Sequence, residues 1–265
     1  MNQTLPISNI QLAFSVFLVL ITGMIASFLR LGLLKSLVWG TIRTFVQLTL
    51  VGYALTYIFQ WNNLWLVIGV TMFMSWVAAR TAVKRTPNVP KYPALLAFLS
   101  LLASTYLVGS IVSILIIAPI PWYAPRIVIP IFGMLLGNSM TGIALSLDRL
   151  YSEARARAPE IEALLTFGAA PWEAIQDSLR EALRAGMTPT INSLMVVGIV
   201  SLPGMMTGQI LGGADPRLAV RYQIVVMLMI TAAVAIGCLL LVGFSYKKLF
   251  TEDGALKPFL LQSRN

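Results

Sequence analysis

Apolar residues in this chain come in runs about as long as a bilayer is thick, and polar residues gather in the gaps between them. A helix rises about 1.5 Å per residue and the hydrocarbon core is roughly 30 Å thick, so about 20 successive apolar residues mark a crossing. Seven segments qualify: Ile10 to Leu29, Leu37 to Phe59, Asn62 to Ala79, Ala94 to Ile117, Ile127 to Leu147, Ile191 to Leu211 and Ile224 to Phe244. Arg43, in the second, is the only charged residue inside them. Turn-forming residues separate the runs at Trp61-Asn62-Asn63, Pro87/Pro90/Pro93, Pro119-Ile120-Pro121 with Pro125, and Gly212 to Pro216. The pattern predicts an all-α, polytopic membrane protein with seven transmembrane helices, one transmembrane domain over 1–265, and a single long polar loop at 148–189.

Composition narrows the class. Of 265 residues, 58% are apolar and only 11% charged, against about 25% charged in soluble domains, which excludes a water-soluble enzyme and a disordered chain. There is no histidine, and the one cysteine, Cys238, has no intrachain partner, so the commonest general base and zinc ligand is missing. The net charge of +9 is explained by position. Lys and Arg in successive gaps number 0, 2, 0, 4, 1, 5, 2 and 4, which places 15 on one side and 3 on the other. The positive-inside rule then sets the N-terminus outside and the C-terminus in the cytoplasm, with lipid rather than nucleic acid as the partner of the charges. Segment 1 lacks preceding basic residues and exceeds a signal h-region, so it is expected to be a retained span rather than a cleavable leader.

The loop is patterned. It holds seven of the ten acidic residues. Pro159 and Glu160 suit a helix start, Ile161, Leu164 and Leu165 make an apolar stripe, and Gly168 is a stop before Pro171 restarts the chain. In the second helix Trp172, Ile175, Leu179, Ala182 and Leu183 share one face, with Glu173, Asp177, Arg180, Glu181 and Arg184 mostly on another. An interfacial helix usually has a Lys/Arg-rich polar face, and this one is mixed to acidic, which favours docking on a protein partner. Glu162-Ala163-Leu164-Leu165-Thr166-Phe167-Gly168 resembles the EAA-xxx-Gly element of ABC importer permeases, whose helix, Gly break and second helix plug into an ATPase. The resemblance implies coupling roles for Glu160, Glu162, Leu165, Gly168 and Trp172. No GxxxxGK[ST] phosphate loop occurs, so this chain is expected to bind no cofactor and to act only with an ATPase on another polypeptide.

Inside the spans, Arg43 and Gln47 stand one turn apart, and Arg43 either snorkels to the headgroups or faces a cavity. Gly133 with Gly137, and Gly204 with Gly208, form small-xxx-small pairs expected at helix contacts, with Asn138 and Thr141 expected to hydrogen-bond across the seam. Pro203 predicts a break in the sixth span, a feature that recurs at transport sites. Met205 and Met206 offer soft thioethers, although methionine also fills irregular gaps, and whether they meet a metal stays open. The candidate solute pathway is Arg43, Gln47, Asn138, Asn192, Met205, Met206 and Gln209.

Arg43-Thr44-Phe45-Val46-Gln47-Leu48-Thr49-Leu50-Val51-Gly52, Gly133 to Met140, Glu162 to Ala169, Pro189-Thr190-Ile191-Asn192 and Ser201 to Leu211, in this order, resemble the FetB (YbbM) family from Arg43 to about Gly243. That resemblance implies the permease half of an ABC exporter in the bacterial inner membrane. It would work as two permease copies with two FetA-like ATPase subunits that hold ATP and magnesium, in iron export and oxidative-stress resistance. Plant relatives tied to aluminium tolerance have been associated with a nucleotide sugar instead. An anionic solute would suit Arg43 and Gln47. A secondary transporter or channel is the alternative, although no carboxylate or histidine inside a span is there to couple it. The motifs of intramembrane proteases and retinal proteins are absent, which excludes a membrane enzyme or photoreceptor.

Overall fold

The computed structural model describes residues 8–86, 89 and 93–261. In order these are α1 (Asn9–Phe28), α2 (Leu34–Trp61), α3 (Leu64–Lys84), α4 (Pro93–Ile111), α5 (Pro125–Ala156), α6 (Ala158–Thr166), α7 (Pro171–Ala174), α8 (Gln176–Val196), α9 (Gly204–Leu211), α10 (Pro216–Ser245) and α11 (Pro258–Leu261). A π-helical turn, Val112–Ile117, prolongs α4, and a 3-10 turn, Tyr246–Leu249, prolongs α10. Several starts are written in the sequence. Ser8 and Gln11 form a reciprocal capping box on α1, Asn63 Oδ1 accepts from the Trp65 amide at 2.8 Å, and Asp215 Oδ1 accepts from the Arg217 amide at 2.8 Å beside Pro216. Of the expected proline loop, Pro93 opens α4, whereas Pro87 and Pro90 lie outside the described residues.

The all-α expectation holds, but the count changes. Among the described residues six helices, not seven, are long and apolar enough to cross a membrane: α1, α2, α3, α5, and α4 and α10 with their extensions. The segment Ile191 to Leu211 is not one helix. Its beginning is the end of α8, its last part is α9, and residues 197–203 between them leave the helical path. Val197 turns to extended geometry, Gly198 takes φ +84°, and the Gly198 amide closes the turn on the Ser201 carbonyl at 2.9 Å. Pro203 has no amide hydrogen to continue the ladder, and its carbonyl accepts from Thr207 at 3.0 Å as α9 begins.

A second correction joins two expected elements. The amphipathic loop helix does not end at Pro189; α8 runs through it as far as Val196. Thr188 Oγ1 donates to the Arg184 carbonyl at 2.7 Å and Ser193 Oγ to the Pro189 carbonyl at 2.9 Å, so hydroxyls reinforce the turns around the missing bond.

The chain forms two compact bodies. One comprises the chain up to Asn62 together with Gly208–Ala214. Its helices α1 and α2 form a hairpin in which a Cβ at Gly23 would meet Leu34 and Leu37 at 3.7 Å. In α1 only Ala26 is buried, and in α2 no residue is.

The other body comprises Asn63–Thr207 and the chain from Asp215 onward. Here α5 packs against α3, α4, α8 and α10, and α10 also packs against α4 and α8. Small residues make this possible: Ser75, Ala78, Ala79 and Ala82 on α3 and Ala97 and Ser104 on α4 are buried. Thr71 Oγ1 hydrogen-bonds the Val67 carbonyl at 2.9 Å and the Tyr106 hydroxyl at 2.7 Å, so a buried hydroxyl is satisfied within the bundle. The helices approach closely at Gly186, where an added Cβ would lie 2.7 Å from the Gly142 carbonyl and 2.9 Å from Cys238 Sγ, and would collide with Ser146 Oγ. The small pairs singled out in the sequence do not make such contacts. A Cβ at Gly137, Gly204 or Gly208 meets nothing within 4 Å, and one at Gly133 meets only Met74 at 3.4 Å.

Beyond α10 the chain doubles back, with the Lys257 amide on the Leu249 carbonyl at 2.9 Å. Leu249, Phe250, Leu256 and Leu260 are buried in one cluster with Leu150, Tyr151 and Ala154 of α5, Ile161 of α6 and Ile175 beside α7. The C-terminal segment and the 148–189 loop therefore sit at the same end of this body.

Candidate functional site

At the other end of the bundle a groove of about 510 Å³ opens between α5, α8, the broken segment and α10. It lies away from α6 and α7, although Gly186 and Pro189 at the end of the 148–189 stretch line it. Twenty-two residues separate Gln223 from Ser245, roughly 33 Å of helix. Asn138 and Thr141 face it from α5, Thr190 and Ser193 from α8, and Gln223 from α10. Met134, Met205 and Met227 add thioethers, and Val226 and Ile230 apolar wall.

Three of the polar side chains are held by bonds within their own helices. Asn138 Nδ2 donates to the Met134 carbonyl at 2.8 Å and Thr141 Oγ1 to the Gly137 carbonyl at 3.3 Å. Both bonds stay within α5, one turn back, and do not cross a seam as the sequence suggested. Ser193 is held on the Pro189 carbonyl. Gln223 is only 5% exposed, and its Oε1 is buried with no hydrogen-bond partner. An acceptor left unmade in the interior costs about 1–3 kcal/mol, a cost Gln223 shares with other buried polar atoms such as Ser100 Oγ and Ser139 Oγ.

Of the candidates read from the sequence, Asn138 and Met205 line the groove. Asn192 is exposed on α8 but is not among the lining residues, which take Thr190 and Ser193 from either side of it. Met206 lines an adjoining, mostly apolar recess of about 330 Å³ with Leu194, Leu202 and Leu228, which shares Val197, Gln223 and Met227 with the groove. Arg43, Gln47 and Gln209 belong to the other body. There Arg43 and Gln47 are exposed on α2, and Gln209 Oε1 is buried without a partner. Gln223 was missed because it precedes the apolar run of the last span; α10 begins two turns earlier, at Pro216, and brings it inside a helix. Among the described residues no cluster of three or more His, Cys, Asp or Glu is placed to hold a metal ion.

A second candidate surface is the elbow formed by α6 and α7. Gly168 ends α6 at φ +92°, a left-handed conformation that side chains with a Cβ resist, and the Ala169 amide closes the turn on the Leu164 carbonyl at 3.0 Å. Ile161 is buried and Leu165 packs on the core, so both hold the elbow to the bundle. The apolar side chains left outside are Phe167, 90% exposed, Trp172, 50%, and Leu164, 39%. Leu165 was the expected anchor, and Phe167, which the apolar spacing did not single out, takes that outward position. Arg157 ties the elbow together, reaching Glu160 at 3.4 Å, Asp177 at 3.5 Å and Glu153 at 4.0 Å. Glu160 therefore has a partner within the chain, while Glu162 is exposed.

Six bilayer-length apolar helices, a polar groove within a helical bundle and an exposed elbow at its far end define a multi-pass α-helical membrane protein. The chain belongs to UPF0014, described as an uncharacterised protein family, whose model matches residues 9–250. It is 36% identical over 252 residues to "UPF0014 membrane protein YjkA" of Bacillus subtilis, covering 94% of this chain and 98% of that protein. It is 34% identical over 247 residues to the "Probable iron export permease protein FetB" of Escherichia coli, covering 93% of each. "Protein ALUMINUM SENSITIVE 3" of Arabidopsis thaliana is 34% identical over 236 residues, 88% of this chain and 84% of that one. The family resemblance read from the sequence is thus borne out. No solved structure matches the chain.

Proposed function

We propose that the chain is the membrane-spanning subunit of an ABC-type exporter of iron or another metal-related solute. In this reading it works in the bacterial inner membrane as two copies, with two FetA-like subunits that bind ATP and magnesium. The observation that carries the reading is the elbow. Leu164, Phe167 and Trp172 project apolar surface from a stretch outside the spans, on helices fixed to the bundle by Ile161 and Leu165. Exposed apolar side chains on a rigid mount suit a groove in a partner protein. The name of the Escherichia coli relative supports iron as cargo.

The same reading places the elbow and the C-terminal segment in the cytoplasm and the N-terminus outside. Support comes from their shared end of the bundle and from the bias of Lys and Arg toward that side. The broken path through α8 and α9 then makes the seventh crossing. Irregular backbone at membrane depth is tolerated where it lines a cavity, as 197–203 does through Val197 and Ser201.

The test is flux in vesicles containing the chain with and without its ATPase. Transport is expected to need both ATP and the partner. Phe167→Asp and Trp172→Glu are expected to lower transport and copurification of the ATPase about tenfold or more, with membrane levels unchanged. Uphill transport by the chain alone would replace this reading with a secondary transporter.

A further inference from the structure

We infer that the groove between α5, α8 and α10 takes a formally uncharged, hydrogen-bonding solute, either an organic molecule or a metal enclosed in an electroneutral chelate. The inference rests on the groove being the transport path of the proposed exporter.

Three observations carry it. First, at about 510 Å³ the groove is in the size range of small-molecule sites and far larger than a bare ion. Second, none of its lining residues is acidic or basic. A bare multivalent cation in low-dielectric surroundings needs compensating carboxylates, and iron(II) ordinarily takes carboxylate or imidazole. The oxygens here are amide and hydroxyl, and the sulfurs of Met134, Met205 and Met227 are soft. An anion fares no better, because no Lys or Arg lines the groove.

Third, the hydrogen-bonding groups of the lining are all neutral and offer both donors and acceptors. Thr141 and Ser193 direct their hydroxyl hydrogens into their own helices and leave oxygen lone pairs, and Asn138 commits one amide hydrogen to Met134 and keeps its second hydrogen and its oxygen. Thr190, Ser201 and the Gln223 carboxamide add further neutral polar groups. An uncharged solute bearing hydrogen-bonding groups satisfies this lining; a bare ion of either sign does not.

The experiment is equilibrium binding to the purified full chain in nanodiscs, without any ATPase, using four probes. These are ferrous ion alone, citrate, acetohydroxamic acid, and the electroneutral ferric tris(acetohydroxamate) complex, whose N–H groups point outward. Saturable binding of a neutral probe is expected, with none for ferrous ion or citrate. Binding of the complex alone indicates a chelate; binding of the metal-free acid as well indicates an organic solute. Gln223→Met, which keeps the shape and removes the carboxamide, is expected to weaken binding at least tenfold. Gln223→Glu is expected to create ferrous-ion binding. If Gln223→Met does not yield monodisperse protein, Thr141→Val supplies the same readout. Saturable ferrous-ion or citrate binding to the unmodified chain, failure of both neutral probes, or full affinity in the variant overturns the inference. Because no ATPase is present, these results stand or fall separately from the elbow's role.

Discussion

The α1–α2 hairpin and the five-helix bundle of α3, α4, α5, α8 and α10 are both apolar, yet they use apolarity differently. In α2 no residue is buried, although the helix runs for 28 residues. In α5, Leu135, Ile143, Leu147 and Leu150 are fully enclosed. The difference is not hydrophobicity, since lipid tails are as apolar as leucine and do not drive helices together. It lies in whether small residues meet a neighbouring helix: Ser75, Ala78 and Ala82 on α3, Ala97 and Ser104 on α4, and Gly142 and Gly186 where α5 meets α8 are enclosed. Helix α2 has small residues too, with Ser36, Gly40 and Thr44 at four-residue spacing, but a Cβ at Gly40 would meet nothing within 4 Å, and such a surface is offered to lipid or to another subunit.

This contrast can be broken at defined places. The largest effect is expected for Gly186→Val, which places a side chain where the Gly142 carbonyl and Ser146 already stand. A loss of about 3 kcal/mol or more is expected, read as a fall in Tm or as aggregation in detergent. Next is the elbow. Phe167→Asp is expected to leave Tm unchanged within about 0.5 kcal/mol while abolishing most ATP-dependent flux, because the side chain is 90% exposed. Gly168→Ala forces a Cβ into φ +92° and is expected to cost about 1–2 kcal/mol locally, seen as faster hydrogen exchange at Phe167 to Ala170. Arg157→Ala removes partly exposed ion pairs and is expected to cost about 0.2–1 kcal/mol, an effect that high salt should erase. Gly52→Leu on α2 meets nothing within 4 Å and is expected to fall within about 0.5 kcal/mol of the unmodified chain. A large loss there would show that α2 is buried against protein.

Much of this architecture was legible because length and period are local signals. Apolar runs located the six long helices, Pro203 located the break, and Gly168 the elbow turn. What escaped depends on partners distant in sequence. Gly133/Gly137 and Gly204/Gly208 carry the same local motif that close packing uses, but the pair that makes contact, Gly142 with Gly186, is 44 positions apart. Pro189 read as a boundary because proline removes a helical hydrogen bond; tertiary packing at Gly186 and the back-bonding of Thr188 and Ser193 override it. Gln223 looked like part of a polar gap, and only the early start of α10 beside Asn138 and Ser193 makes it a wall of the groove. The outward anchor Phe167 sits at the helix end, where the apolar spacing of α6 does not reach.

The passage of α8 through Pro189 has a mechanical meaning. Ten residues lie on either side of Gly186, about 15 Å each, from Gln176 at the elbow to Val196 at the rim of the groove. Ser178, Ala182 and Gly186 bury one face of the elbow arm against the bundle, so a single unbroken helix joins the elbow to the rim of the groove.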